Sequence, residues 1–276
     1  GGLASQEALE MKVVFDMETG DPDDVLTLLL LASHPKVQLC AVTITPGSLD
    51  QISLVLWILQ ELQLEVRVGA QEWPKNAEKK CIKGKFYDSF GRVPEESIKG
   101  METAAQVLVD CCDQNTTLLT GGPLHNLGHA LEMPAFNLGR WVAQGGFAGE
   151  GVVPRELQME KFAGKQTCQT WNFGGNKHAA EAALASNTIS RKVLVSKNVC
   201  HRAVYDGRFH QAFLQALEHS EAKSTRAIAL KLLCSAMEKY QRGDGKKLHD
   251  PLAMAAMVDE AVCNFREVHV FNDRQG

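Results

Sequence analysis

The sequence predicts an α/β fold: a single domain whose mostly parallel, open sheet is flanked by helices. Three observations lead there. Short β-rich runs alternate with longer helical patterns from Met11 onward, the signature of parallel strands joined by helical crossovers. No internal repeat or low-complexity tract interrupts that alternation. The chain has 276 residues, 45% apolar and 22% charged, enough for one large domain with a substantial core. Residues 1–10 read as a loose N-terminus or cloning scar, and residues 11–276 as the domain.

Taken in order, Met11 to Asp16 reads as a strand, Pro22 to Ser33 as a helix, Val37 to Thr45 as a strand, Leu49 to Leu62 as a helix and Leu64 to Val68 as a third strand. Residues 70–99 then lose periodicity and carry Pro74, Gly84, Gly91 and Pro94, so they form a long loop, a kind of segment that is usually functional or disordered. The pattern resumes with a helix near Glu102 to Asp113, a strand at Thr116 to Thr120, a helix from Leu124 to Glu132 and a strand at Arg140 to Gln144. A second long loop runs from Gly145 to about Gly175. Beyond it come a helix near Asn176 to Ser186, a strand at Lys192 to Ser196, and helices near Arg208 to Leu217, Ser220 to Arg242 and Pro251 to Val258. In the penultimate helix, Leu230, Leu232, Leu233 and Met237 mark a core face. Val268 to Phe271 is a candidate last strand.

The bulk properties exclude several roles. Net charge is -4, and the basic pairs Lys79-Lys80 and Lys246-Lys247 are short and scattered, which leaves no footprint for nucleic acid and points to a small-molecule substrate. No apolar run reaches the roughly 18 residues needed to span a bilayer. Gly1 to Ser5 lacks a basic segment followed by an apolar stretch, so it is not read as a signal peptide. The eight cysteines form no CxxC pair and read as buried thiols, which suits a cytoplasmic setting.

The most informative segment is Asp16-Met17-Glu18-Thr19-Gly20-Asp21-Pro22-Asp23-Asp24, where five carboxylates fall within nine residues between a strand end and a helix start. Like charges at this density repel and raise one another's pKa. A hard divalent ion, which takes roughly six to eight oxygen ligands, would stabilise them. The position fits, because ligands of open parallel sheets bind beyond the carboxyl ends of the strands. Helix capping by Asp21, Asp23 and Asp24 is the plainer reading, but capping does not call for so many acids. Far along the chain, Asp250 precedes Pro251 in Leu248-His249-Asp250-Pro251-Leu252-Ala253. By itself this is an ordinary helix start, with His249 beside it as a possible proton donor.

Four segments together resemble the inosine-uridine-preferring nucleoside hydrolases: Asp16 to Asp24, Val42 to Gly47, Thr120-Gly121-Gly122-Pro123-Leu124-His125-Asn126-Leu127, and Leu248 to Ala253. They occur in that family's order and at comparable spacing, over nearly the whole chain. The resemblance implies a homodimer or homotetramer with calcium at the strand ends. The ligands would be Glu18, Asp24, Asp250 and the carbonyl of Gly121, with Asp16 also counted as a candidate. It assigns Glu18 as general base and His249 as the acid or orienting group at the departing base. Asp23 and Asn172 would contact the ribose, while Ser48, Trp171 and Tyr87 join them as candidate substrate contacts. Phe86, Phe90, Phe147 and Phe173 on the long loops are further aromatics available for stacking on a base. Cys200-His201 resembles the family's Thr-His, but it reads as structural on its own residues, as does His125.

This chain departs from the family pattern in having Glu18 in place of an aspartate, one extra residue before Asp23-Asp24, Ser48 in place of an asparagine and Thr170 in place of a glutamate. The activity implied is hydrolysis of an N-ribosyl bond by calcium-activated water, through an oxocarbenium-like ribose. Two other readings stand beside it. One is a noncatalytic protein that binds ribose or a nucleoside. The other is a magnesium-dependent phosphohydrolase with Asp16 as nucleophile, which leaves the His-Asp-Pro segment without a role.

Overall fold

In a computed structural model, which describes residues 10–71, 81–82 and 84–273, the chain folds around a seven-stranded, wholly parallel sheet. The reading of residues 1–9 as a loose end, and Pro74 and Lys79-Lys80 of the first long loop, lie outside the described residues. The elements run β1 (Met11–Met17), α1 (Pro22–Ser33), β2 (Val37–Ile44), α2 (Leu49–Glu61), β3 (Arg67–Ala70), β4 (Glu102–Thr103), α3 (Ala104–Cys111), β5 (Thr116–Thr120), α4 (His125–Leu131) and β6 (Leu138–Gln144). They continue with α5 (Trp171–Gly175), α6 (Lys177–Ala185), β7 (Ile189–Val195), α7 (Lys197–Cys200), β8 (Val204–Tyr205), α8 (Gly207–Glu218), α9 (Thr225–Met237), β9 (Lys246–Lys247) and α10 (His249–Val258). β8 and β9 pair as a small separate antiparallel ribbon.

The strand order β4-β3-β2-β1-β5-β6-β7 decides where a site can form. Successive strands spread outward from β1 in one direction, then from β5 in the other. The crossovers therefore diverge at the β1/β5 boundary and open a crevice at the carboxyl ends of those two strands. The acidic segment follows β1 directly, and Gly121 follows β5.

Alternation along β1 sorts its side chains by face. Val13, Phe15 and Met17 enter the core shared with α1, α2, α9 and α10, while Val14 enters the one beneath α3, α4 and α6. α1 starts sharply because Asp21 accepts the N–H of Asp23 as N-cap and Pro22 suits the first turn. It then buries Val25, Leu26, Leu28, Leu29 and Leu31 against the sheet.

Several expectations shift. The third strand begins three residues later than predicted, at Arg67, where pairing with Ala41 sets its register. The long helix from Ser220 is shorter, Thr225–Met237, and of its predicted face Leu230, Leu233 and Met237 are buried while Leu232 is half-buried. Val268 to Phe271 forms no strand and is exposed. The second loop contains a short helix, α5, that sequence periodicity could not show in five residues. Among the described residues, no disulfide joins the cysteines and no helix is long and apolar enough to cross a membrane.

Candidate active site

A cavity sits at the β1/β5 crevice. Its acidic floor comprises Glu18, Asp21, Asp23, Asp24 and Asp250, and other walls are formed by Gly121, Asn172 and His249. Carboxylate oxygens of Asp23, Asp24 and Asp250, all buried, approach within 4.8 Å of one another. Residues more than 220 positions apart in sequence meet here because α10 packs against α1.

The first turn of α1 divides its acids between different tasks. Asp21 caps its own helix. Asp23 turns toward α10, where its Oδ2 accepts the backbone N–H groups of His249 (2.8 Å) and Asp250 (3.2 Å). It thereby serves the orphan donors of a helix whose own N-cap, Leu248, has no side chain able to do so. Asp24 Oδ1 accepts the N–H of Glu18 at 3.0 Å, which closes the acidic loop on itself.

Two glycines make this convergence possible. A Cβ on Gly121 would lie 2.9 Å from Asp24 Oδ1 and 2.9 Å from Asp250 Cγ, and one on Gly122 would lie 3.3 Å from Glu18 Cβ. The turn after β5 carries no side chains where the carboxylates crowd against it.

Burial drives the electrostatics. It raises the Glu18 and Asp23 carboxyls to about 7, helped in each case by the charge of Asp21, and lifts Asp24 and Asp250 well above the ordinary range, with mutual repulsion adding to the effect. Lys246 supplies a cation, its Nζ 2.6 Å from Asp21 Oδ1 and 3.7 Å from Asp23 Oδ1. Asp250 Oδ1 is buried with no hydrogen-bond partner among the described residues. An orphaned buried carboxylate oxygen in an all-oxygen cluster is the donor chemistry of a hard divalent cation, so the residues present fit calcium.

The predicted residues are distributed unevenly. Glu18, Asp23, Asp24, Gly121, Trp171, Asn172, His249 and Asp250 all border the cavity. Asn172 is buried, and its Nδ2 lies 2.9 Å from the carbonyl of Gly121, so it fixes the turn after β5. Trp171 stands 74% exposed at the rim.

Asp16, Ser48 and Tyr87 do not line the cavity. Asp16 lies on the β1 face opposite Met17, fully buried, where its Oδ1 accepts from Thr43 (2.6 Å) and Asn126 (2.7 Å). Asp16 is thus held by neighbouring side chains and does not border the cavity, while its Oδ2 is buried with no hydrogen-bond partner among the described residues. Ser48 is the N-cap of α2 in a reciprocal capping box with Gln51. Tyr87 is buried, and its hydroxyl donates to the carbonyls of Thr19 (2.8 Å) and Asp21 (3.2 Å), bracing the acidic loop from behind. Phe86 and Phe90 pack with it in the core, and Phe173 stacks on Trp141, because apolar rings on a loop gain more by burial than by facing water.

Sequence reasoning missed Gln51, Gln144, Lys197 and Lys246, and read His201 only as structural. Gln51 is fully buried, donating Nε2 to Thr19 Oγ1 (2.9 Å) and to the carbonyl of Thr45 (3.1 Å). The Ser48-x-x-Gln51 capping spacing was its one visible signal. His201 lines the cavity with its ring 5.0 Å from that of His249, and Lys161 Nζ lies 2.8 Å from its Nδ1.

Fold and cavity together define a doubly wound α/β protein with a carboxylate-floored site at its switch point. The chain belongs to the inosine-uridine preferring nucleoside hydrolase family, whose profile matches residues 13–275. Members of this family are metal-dependent nucleoside hydrolases, typically with calcium. An uncharacterized protein of Aquifex aeolicus (strain VF5) is 30% identical over 94% of this chain and 85% of its own length. The pyrimidine-specific ribonucleoside hydrolase RihB of Shigella flexneri serotype 5b is 28% identical over 55% of this chain and 53% of its own. Among solved structures, the plant nucleoside hydrolase PpNRh1 superimposes with a TM-score of 0.60 at 21% identity, covering 91% of this chain and 79% of that one, a likeness of fold.

Proposed function

We propose that this chain hydrolyses the N-glycosidic bond of a ribonucleoside or a related N-ribosyl compound, releasing the free base. The observation that carries this reading is the convergence of Asp23, Asp24 and Asp250 at the β1/β5 crevice, beside Glu18 and His249, in a member of this family.

Asp24, Asp250, Glu18 and the carbonyl of Gly121 would hold a calcium ion. When bound, the ion offsets the clustered negative charge and makes a water in the site easier to deprotonate. Glu18 accepts that proton; burial raises its carboxyl in the metal-free chain, and the bound cation would favour the ionised form that a base requires. Asp23 commits Oδ2 to the backbone of α10, so Oδ1, which also faces the Lys246 ammonium at 3.7 Å, is the atom that would hold a ribose hydroxyl. Asn172 adds a second ribose contact, and Trp171 at the rim supplies a face for the base. His249, pushed down to about 4 by burial and then by Lys246, is neutral near pH 7 and serves the leaving base as a hydrogen-bond donor.

The test is chromatographic detection of free base from purine, pyrimidine and modified ribonucleosides, with calcium or with chelator, for the wild type and Asp24→Ala. Calcium-dependent release that the variant loses is expected. Calcium binding without release from any riboside would overturn the hydrolase reading in favour of a ribose-binding protein.

A further inference from the structure

Cys200 is fully buried at the end of α7, which packs against α10, and its sulfur lies 3.0 Å from Nδ1 of His249. The side chain of Gln144 donates to the same sulfur at 3.2 Å, so an acceptor position on the sulfur is already taken. The thiol has one proton to place. Its two acceptors are Nδ1 of His249 and the more distant carbonyl of Lys197, at 3.4 Å. The imidazole nitrogen is the nearer. Burial pushes the thiol up to about 12, so the proton is present at neutral pH. The backbone N–H of His249 is meanwhile held by Asp23 at 2.8 Å, which ties the residue at both its main chain and its ring.

We propose that Cys200 is a positioning residue, donating its S–H to Nδ1 of His249 and so holding the ring in the tautomer whose proton is on Nε2, the nitrogen left for the cavity. A neutral imidazole has one N–H and one lone pair, and whichever nitrogen accepts leaves the other to donate. The opposite arrangement, with Nδ1–H given to sulfur, would present a lone pair to the departing base and repel the charge that builds there as the bond breaks. This assignment rests on the N-ribosyl hydrolase reading for its catalytic meaning, though not for its geometry. No proton leaves the ring in this account; His249 polarises the base through one oriented hydrogen bond, as neutral histidines do where preorganised donors face developing negative charge.

The experiment uses the full chain with calcium and ¹⁵N-labelled histidine, the His249 signals being assigned by their loss in His249→Gln. The wild type is expected to show a protonated Nε2 and an unprotonated Nδ1. Cys200→Ser, which keeps a donor, retains that pattern, while Cys200→Val and Cys200→Ala, checked for folding by thermal unfolding, populate both tautomers. On a ribonucleoside, the Val and Ala variants lose roughly 10-fold or more in kcat with little change in KM, while a p-nitrophenyl riboside, whose leaving group needs no such help, is spared. The serine variant restores the ribonucleoside rate. A wild-type ring protonated at Nδ1, an unchanged tautomer in the donorless variants, or equal losses on both substrates would each overturn the proposal. If the wild type cleaves no riboside, the hydrolase reading fails by itself and the tautomer measurement still decides the role of Cys200.

Discussion

Gly121 shows how much a single missing side chain can do. With Asp24 Oδ1 and Asp250 Cγ each 2.9 Å from where its Cβ would stand, Gly121→Ala forces the two carboxylates apart or shifts the turn after β5. The expected cost is about 1–3 kcal/mol in stability, together with a roughly 10–100-fold weaker calcium affinity, measurable by calorimetric titration. Affinity unchanged within error would mean that the carboxylates do not hold the ion together. At this scale the acids were legible in the sequence and their division of labour was not. Asp21, Asp23 and Asp24 lie within four residues, yet one caps its own helix, one anchors α10 and one joins Asp250. Which task falls to which depends on the direction each side chain leaves the first helical turn, and on what has packed there.

Among the elements, the loop from Glu18 to Asp21 is held from three sides. Gln51 of α2 reaches Thr19, Lys246 of β9 reaches Asp21, and Tyr87 reaches the carbonyls of both Thr19 and Asp21. Tyr87→Phe removes only the last of these, leaving the buried Thr19 carbonyl short of a donor, while the half-buried Asp21 carbonyl, at the N-cap, keeps its intrahelical bond. Thermal or denaturant unfolding should show a loss of about 1–2 kcal/mol. Turnover should fall as well, because Glu18 is carried on the same loop. Full activity in that variant would mean the brace is dispensable. The sequence presented Tyr87 as one more aromatic on a long loop, since its 3.6-residue neighbours give no hint of a hydroxyl pointing back at β1. The elements with strong periodicity, α1, β2, α2, β5 and α10, were all visible; α5, β4, β8 and β9 are too short to carry a period and depend on their neighbours for existence.

For the molecule as a whole, the buried cluster ties stability to pH and to cation. Burial raises Asp16 to about 6 and Glu18 and Asp23 to about 7, so between the unfolded values near 4 and these folded ones these carboxyls hold more protons in the native chain than in the unfolded one, while His201 and His249, pushed down to about 4 mainly by burial, hold fewer and offset part of that difference below about pH 6.5. The carboxyls' contribution is full at the acid end of that window and lost as pH rises through about 7. In chelator, the melting temperature should therefore fall most steeply between about pH 6.5 and about pH 7.5, where the histidines are neutral in both states, and saturating calcium, which favours the ionised carboxylates, should reverse the loss most strongly at the alkaline end. A melting temperature equally insensitive to calcium at both ends would contradict a shared metal cluster. Ion-paired carboxylates such as Glu102 and Asp110, held below their usual range by Arg67, titrate beneath this window and do not disturb it.

By itself the sequence determined the α/β alternation, the acidic segment at a strand end and the distant His-Asp-Pro helix start, because each is local: periodicity, charge density and turn chemistry are written within a dozen residues. Only the tertiary structure decided that the strand order reverses between β1 and β5, that α10 brings Asp250 to Asp24, and that the Asp16 side chain is buried against Thr43 and Asn126 and does not border the cavity. Lys246 and Cys200 likewise acquire their roles through packing alone. Those outcomes follow from which hydrophobic faces bury against one another, a property of the assembled core that no short stretch of the chain contains.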